Sequence, residues 1–207
     1  MRIMTKIIVL AAAPLTSLVV VGLMGWSGIT TLRDGNRRLV DDQFLPLVNK
    51  DIAHLTDELQ VSIGLVLEAQ REAYKAVIAE KMALVASDES EQRAADQTNA
   101  DAIARVRDRI VQASPFFLHD EDKQLLTTLG EQMNTWQEKT RKVVTGAGDP
   151  AKVTFGRRMS NGGSAETSFL AVQETLAALE AAQKAEIQTV LATVKENKAK
   201  VEADAAG

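Results

Sequence analysis

The chain has 207 residues, with 24 basic and 28 acidic side chains and a formal net charge of -4 at pH 7. This acidic balance argues against a general nucleic-acid binder, which needs a basic face. Cysteine is absent, which excludes disulfides, zinc–thiolate sites and thiol chemistry. Aromatic residues make up only 4% of the chain, while alanine, leucine, glutamate, lysine and glutamine are abundant. Such a composition is typical of long helices.

Residues 7–32 contain no charged side chain, and about 20 apolar residues are enough to cross a bilayer as a helix. We expect a transmembrane helix here. A cleaved secretory signal is the alternative, but its apolar part usually has about 7–15 residues and ends at an A-x-A-like site, which is missing here. Arg2 and Lys6 favour a cytoplasmic position for residues 1–6, with the rest of the chain on the other side of the membrane.

The remainder of the chain shows apolar or small residues at alternating steps of three and four, which predicts long amphipathic helices. Short polar and glycine-containing segments separate the predicted helices, which span about 36–87, 90–113, 120–145 and 164–204. Since short connections join antiparallel neighbours, residues 33–204 are expected to form an up-down-up-down four-helix bundle. The predicted fold is all-α, with long first and last helices, preceded by the one transmembrane helix.

The spacing also predicts which side chains face the core. On the first helix one stripe includes Ser62, Val66, Ala69, Ala73 and Ala76, and a second stripe beside it includes Ile63, Leu67, Tyr74, Val77 and Leu84. Two adjacent stripes indicate a helix that contacts more than one neighbour. The predicted inner faces of the other helices are Ala95, Ala102, Val106, Ile110 and Ala113; Leu126, Leu129, Met133, Trp136, Thr140 and Val143; and Phe169, Val172, Leu176, Leu179, Gln183, Ile187, Val190 and Val194.

Several segments together resemble the N-terminal part of bacterial methyl-accepting chemotaxis receptors. The charge-free start looks like their first membrane helix, and Phe44-Leu45-Pro46 resembles the Leu-Pro that is common early in the first sensor helix. The segment from Leu67 to Ala76, LEAQREAYKA, looks like the middle of that helix. SAETSF at residues 164–169, followed by LAAL at residues 176–179, resembles the opening of the fourth helix.

The resemblance implies a periplasmic ligand-sensing domain in the bacterial inner membrane that works as a homodimer. Ligand binding would be relayed across the membrane to a cytoplasmic hairpin that controls a histidine kinase. The second membrane helix and the cytoplasmic signalling region of such receptors are absent from this sequence. We therefore expect residues 1–207 to be a fragment of a longer receptor. The alternatives are the ectodomain of a membrane sensor histidine kinase and a single-pass helical scaffold or tethering protein.

Basic residues define the predicted ligand site, since an arginine binds a carboxylate through two parallel hydrogen bonds. Arg71 and Lys75 lie one helical turn apart on one face, and in the receptors that the chain resembles, basic residues with this spacing hold the ligand's carboxylate across the dimer interface. Tyr74 is expected to cover the ligand or pack on the partner, and Arg158 to supply a second contact to an anionic small molecule. Alternatively, Arg71 and Lys75 form exposed charge pairs with Glu68 and Glu72.

No set of acid, base and nucleophile suggests an enzyme, and no cofactor is expected. His54 and His119 are the two histidines, and no Glu-x-x-His pair of the kind used by di-iron bundles is present, so no metal site is predicted. The acidic run after His119 is typical of the first turn of a helix. Arg105, Arg107 and Arg109 on the second helix are expected to point around it without converging.

Overall fold

The computed structural model describes residues 45–206. Within this range the chain is all-helical and contains no strand, as the sequence predicts. Three predicted features lie outside the described residues: the membrane helix at 7–32, the cytoplasmic position of residues 1–6, and the start of the first long helix of the bundle near 36. Among the helices of the described range, none combines the length and the apolar character that a membrane crossing requires.

Four long helices and one short helix make up this range. Their bounds are α1 Leu45–Ala83, α2 Glu89–Ala113, α3 Asp120–Gly146, α4 Val153–Ser160 and α5 Ser164–Ala206, with a 3₁₀ turn at Ser114–Phe116 after α2. The chain divides into two units, and all packing and bonds given below belong to the larger one, residues 52–197. Of the other unit, the described residues are the first turns of α1 and the last turns of α5.

Helix α1 ends before the predicted residue 87 because the cap-type residues after it start the next helix instead. The Val85 N–H bonds to the Met82 carbonyl at 3.1 Å, which tightens the chain into a turn. Asp88 then accepts a hydrogen bond from the Glu91 N–H at 2.9 Å, and the Glu91 carboxylate accepts one from the Ser87 N–H at 2.8 Å. This reciprocal arrangement is a variant of the capping box and fixes the start of α2.

The four long helices share one hydrophobic core, which is consistent with a helical bundle. Charged and polar contacts between α1 and α2 join Glu72 to Arg105 and Glu68 to Arg109, so the two helices run antiparallel. Bonds between α3 and α5 also occur in opposite order: Lys139 donates to Ser168, and Thr175 donates to the Gln132 side chain.

The buried face of α1 consists mainly of small residues. Ser62, Val66, Ala69, Ala73, Ala76, Ala79 and Ala83 are all buried. Large side chains from α3 and α5 fill the space opposite them, and the Trp136 and Phe169 ring centroids lie 5.6 Å apart. The predicted inner faces of these helices are confirmed from Leu129 to Val143 and from Phe169 to Gln183, whereas the last predicted core residues of α5, Ile187, Val190 and Val194, are only partly buried.

A layer of polar side chains crosses this core between α1, α2 and α3. The buried Asn99 amide donates to the Ala76 carbonyl at 2.7 Å and to the Thr140 hydroxyl oxygen at 3.2 Å. The Thr140 hydroxyl donates in turn to the carboxylate of Glu80, which is 2% exposed. Since buried polar groups are costly without partners, this chain of bonds fixes how the three helices align.

The turn between α4 and α5 requires glycine. Gly162 has a φ of +75°, and a Cβ on Gly163 would lie 2.0 Å from the Arg158 carbonyl oxygen. The absence of a side chain therefore lets the chain reverse tightly against the end of α4. Lys81 donates to the Ser160 carbonyl at 3.2 Å and to the Asn161 side chain at 2.8 Å, which attaches this turn to α1.

We expect Ala73→Leu to destabilise the protein, because Ala73 is fully buried against large neighbours. Adding bulk to such a well-packed site costs about 1–3 kcal/mol. Ala104→Leu is the matched control, since Ala104 lies exposed on α2 and surface substitutions change stability by about 0.5 kcal/mol or less. Urea unfolding followed by circular dichroism measures both variants, and equal stability of the two would contradict the packing described for α1.

Candidate ligand-binding face of helix α1

Helix α1 carries a stripe of large apolar side chains that its own domain does not cover. Its members are 45–58% exposed and lie along one side of the helix: Leu67, Tyr74, Ile78 and Met82. We call these residues the exposed stripe. Leu67 and Tyr74 belong to the second predicted stripe, and the structure leaves them largely open to solvent. Exposed apolar side chains grouped in this way are typical of an interaction site.

Arg71 lies within the exposed stripe, one turn from Leu67 and close to one turn from Tyr74. Its side chain is exposed and has no hydrogen bond or ion pair to any residue between 45 and 206. The expected charge pair with Glu68 is not formed, because Arg109 of α2 binds Glu68 at 2.7 Å. The Arg71 guanidinium is therefore a positive charge on an apolar surface with its donors available.

Lys75, the second predicted basic residue, is engaged with Glu72. Its Nζ lies 2.6 Å from one Glu72 oxygen, and Arg105 Nε lies 2.8 Å from the other. Glu72 is 5% exposed. Burial raises the pKa of this carboxyl, but hydrogen bonds and positive charge from Lys75 and Arg105 outweigh burial and lower its pKa below the ordinary value. Lys75 is thus paired with Glu72, as the alternative interpretation of the sequence expects, but the carboxylate of this pair is buried and not exposed.

Tyr74 connects the exposed stripe to the core. Its ring is 53% exposed and meets Phe169 of α5 edge-on, with centroids 5.1 Å apart and planes at 75°. Phe169 is buried and contacts Trp136. One side of the Tyr74 ring is therefore held by the core of the domain while the other side is open, which suits either predicted role.

Arg158 lies on α4, apart from the other predicted site residues. Helix α4 packs at the end of α1, where the Arg157 guanidinium reaches the Leu84 carbonyl at 3.5 Å. Leu84 follows Arg71 by more than three helical turns, roughly 20 Å along the helix. The described contacts thus bring Arg71, Tyr74 and Lys75 together on α1 and place Arg158, which is exposed, at a different level.

The interhelical arginine pairs were missed from the sequence. Arg105 and Arg109 both face α1, and only Arg107 points to α3, where its guanidinium bonds to Asn134. The signal was present in the spacing: Glu68 and Glu72 are four residues apart, as are the two arginines, so antiparallel helices pair both at once. Recognising it required knowing which helices are neighbours.

The part of the chain that the structure describes holds no group of three or more His, Asp or Glu side chains able to bind a metal ion. His119 precedes α3, and its Nε2 lies 3.2 Å from Glu186 of α5. The His119 side chain does not cap α3, although acidic residues occupy the first turn as expected.

No protein-family model, curated protein or solved structure matches the chain. The resemblance to chemotaxis receptors therefore stays a prediction from the residues themselves.

We expect Glu72→Gln to lower the free energy of unfolding at pH 7 by about 2 kcal/mol, the order of magnitude for hydrogen bonds to charged groups. Because the pKa of Glu72 is lowered on folding, its contribution is complete above the ordinary glutamate pKa of about 4.5 and is lost as the pH falls through the lowered value. The variant should therefore differ from wild type at pH 7 and approach it in acid. Urea unfolding at several pH values tests this, and a difference that grows in acid would contradict it.

Proposed function

We propose that the chain is the ligand-sensing extracytoplasmic part of a bacterial chemotaxis receptor, anchored in the inner membrane by residues 7–32 with its bundle in the periplasm. The long α1 and α5 and the antiparallel contacts of neighbouring helices support an up-down-up-down four-helix bundle. The core shared by four helices favours a folded-back domain over an extended coiled-coil scaffold. The segments that resemble receptors of this type support the functional part.

The observation that carries the proposal is the position of Arg71. In a homodimer with both copies anchored in one membrane, equivalent helices run parallel, and each residue of an α1–α1 contact meets its own counterpart. The exposed stripe supplies the apolar surface for such a contact. Two Arg71 guanidiniums would then approach each other and repel, unless an anion binds between them.

An anionic ligand resolves this repulsion, because a carboxylate bound between two guanidiniums gains charge-assisted hydrogen bonds from both. Tyr74 on the same surface, with one side of its ring open, covers the ligand or packs on the partner. The ligand therefore favours one arrangement of the two copies over another. Such a shift in population moves helices by about 1–2 Å, and the receptor would relay it to the kinase-controlling hairpin.

We expect Arg71→Ala to weaken binding of an anionic ligand by at least tenfold, since a charged hydrogen bond contributes about 1.5–3 kcal/mol. A thermal-shift screen with small carboxylic acids, amino acids included, first identifies a compound that stabilises the chain, and calorimetry then compares the variants. Arg141→Ala is the control, because Arg141 is an exposed arginine on α3. If no acid stabilises the chain, or if every acid that does so binds Arg71→Ala as it binds wild type, the proposed site is wrong.

The dimer is tested independently by oxidative crosslinking, which is free of background because the chain has no cysteine. Position 78 lies in the exposed stripe, so two copies of the Ile78→Cys variant should form a disulfide when isolated membranes that contain the protein are oxidised. Thr135→Cys, at an exposed position on α3, is the control and should stay monomeric. Equal crosslinking at both positions would contradict an interface on α1.

A further inference from the structure

A second surface of the domain combines an apolar groove with a positive charge, and the functional proposal above does not use it. The groove lies between α2 and α3 and has a volume of about 160 Å³. Leu129 and Met133, both buried, form its base, and Ile110 and the 69% exposed Val111 border it. Gly130 adds no side chain to the groove, and beyond its chain neighbours and its own helix backbone nothing lies within 4 Å of the place where its Cβ would be.

Arg107 borders the same groove and is held in place by neutral groups. Its Nη2 donates to the Asn134 side-chain oxygen and to the Gln137 side-chain oxygen, both at 2.9 Å. In the described part of the chain no carboxylate lies within ion-pair distance of Arg107, whereas Arg105 and Arg109 on the same helix each bind a glutamate. The amides therefore position the guanidinium without neutralising it.

We propose that this groove binds a small monocarboxylic acid with an apolar body the size of a benzene ring. The carboxylate would bind to Arg107, which has five N–H donors, of which the two amides use those of one nitrogen. The groove is open to solvent on one side and has room for such a body, since an enclosed aliphatic cavity of similar volume, about 150 Å³, takes up benzene. A second charge or a polar body would lose hydration against Leu129 and Met133 without gaining a partner.

The site is separate from the Arg71 surface, which lies on another helix, and it does not depend on a dimer. Benzoate is the probe, and acetate and benzyl alcohol are its controls: acetate has the carboxylate without the ring, and benzyl alcohol has the ring without the charge. Calorimetry on the full chain should show saturable binding of benzoate, with each control at least about tenfold weaker.

Three variants test the two halves of the site. Gly130→Leu fills the groove while replacing a glycine within a helix by a better helix former, and it should abolish benzoate binding. Arg107→Met keeps an apolar stem without the charge and should weaken binding at least about tenfold. Val111→Glu places a carboxylate one turn from Arg107 at an exposed position, so it should compete with the ligand without affecting the fold.

The absence of saturable benzoate binding to the wild-type chain would overturn the proposal, as would binding that Val111→Glu and Arg107→Met leave unchanged. Loss of benzoate binding in Arg71→Ala, with binding retained in these variants, would place benzoate on α1 and refute the groove. Arg71→Ala should instead bind benzoate as wild type does. Benzoate binding that depends on Arg107 supports the groove even if the Arg71 site fails its own test.

Discussion

The packing of this domain depends on the small residues along the inner face of α1. Ala69, Ala73 and Ala76 leave room for large side chains from other helices, and Trp136 and Phe169 occupy that room. A helix whose inner face is alanine contributes little apolar area to its own core, about 25 cal/mol for each Å² that it does bury. Several large apolar residues of α1, Leu67, Tyr74 and Ile78 among them, lie on its outer side, so the helix has an exposed apolar surface in addition to its buried face.

Whether a charged side chain is paired also depends on which helix lies next to it. The glutamates of α1 that face α2 are matched by arginines at the same spacing, which stabilises the antiparallel pair and keeps Glu72 ionised. Some arginines that face away from these glutamates have no carboxylate partner in the described range. Arg71 and Arg107 are two of them, and each lies beside apolar surface. Positive charge next to apolar side chains is the combination that selects organic acids over inorganic ions.

Much of the architecture could be predicted from periodicity, because burial of one face per helix is a local property of sequence. The core positions from Leu129 to Val143 and from Phe169 to Gln183 followed from spacing alone. The end of α1 could not be predicted in this way, because a cluster of cap-type residues such as Ser87–Asp88 can either end one helix or begin the next. Pairing of Arg109 with Glu68, and the groove at Gly130, depend on which helices are neighbours. These contacts join residues that are far apart in the sequence, and the pattern of a single sequence does not show which helices are neighbours.

The polar layer in the core fixes how three of the long helices align along their axes. The Asn99 side chain donates to a backbone carbonyl of α1 and to the Thr140 hydroxyl of α3, which in turn donates to the buried Glu80 carboxylate. A shift of one residue between these helices would break these bonds. Helix α5 takes no part in this layer, and polar bonds at the edge of the core join it to α3 through Ser168 and Thr175. It also shares the apolar core with its neighbours. The register of α1, α2 and α3 is therefore set by bonds inside the core, whereas that of α5 is set by part-buried bonds to α3 and by apolar packing.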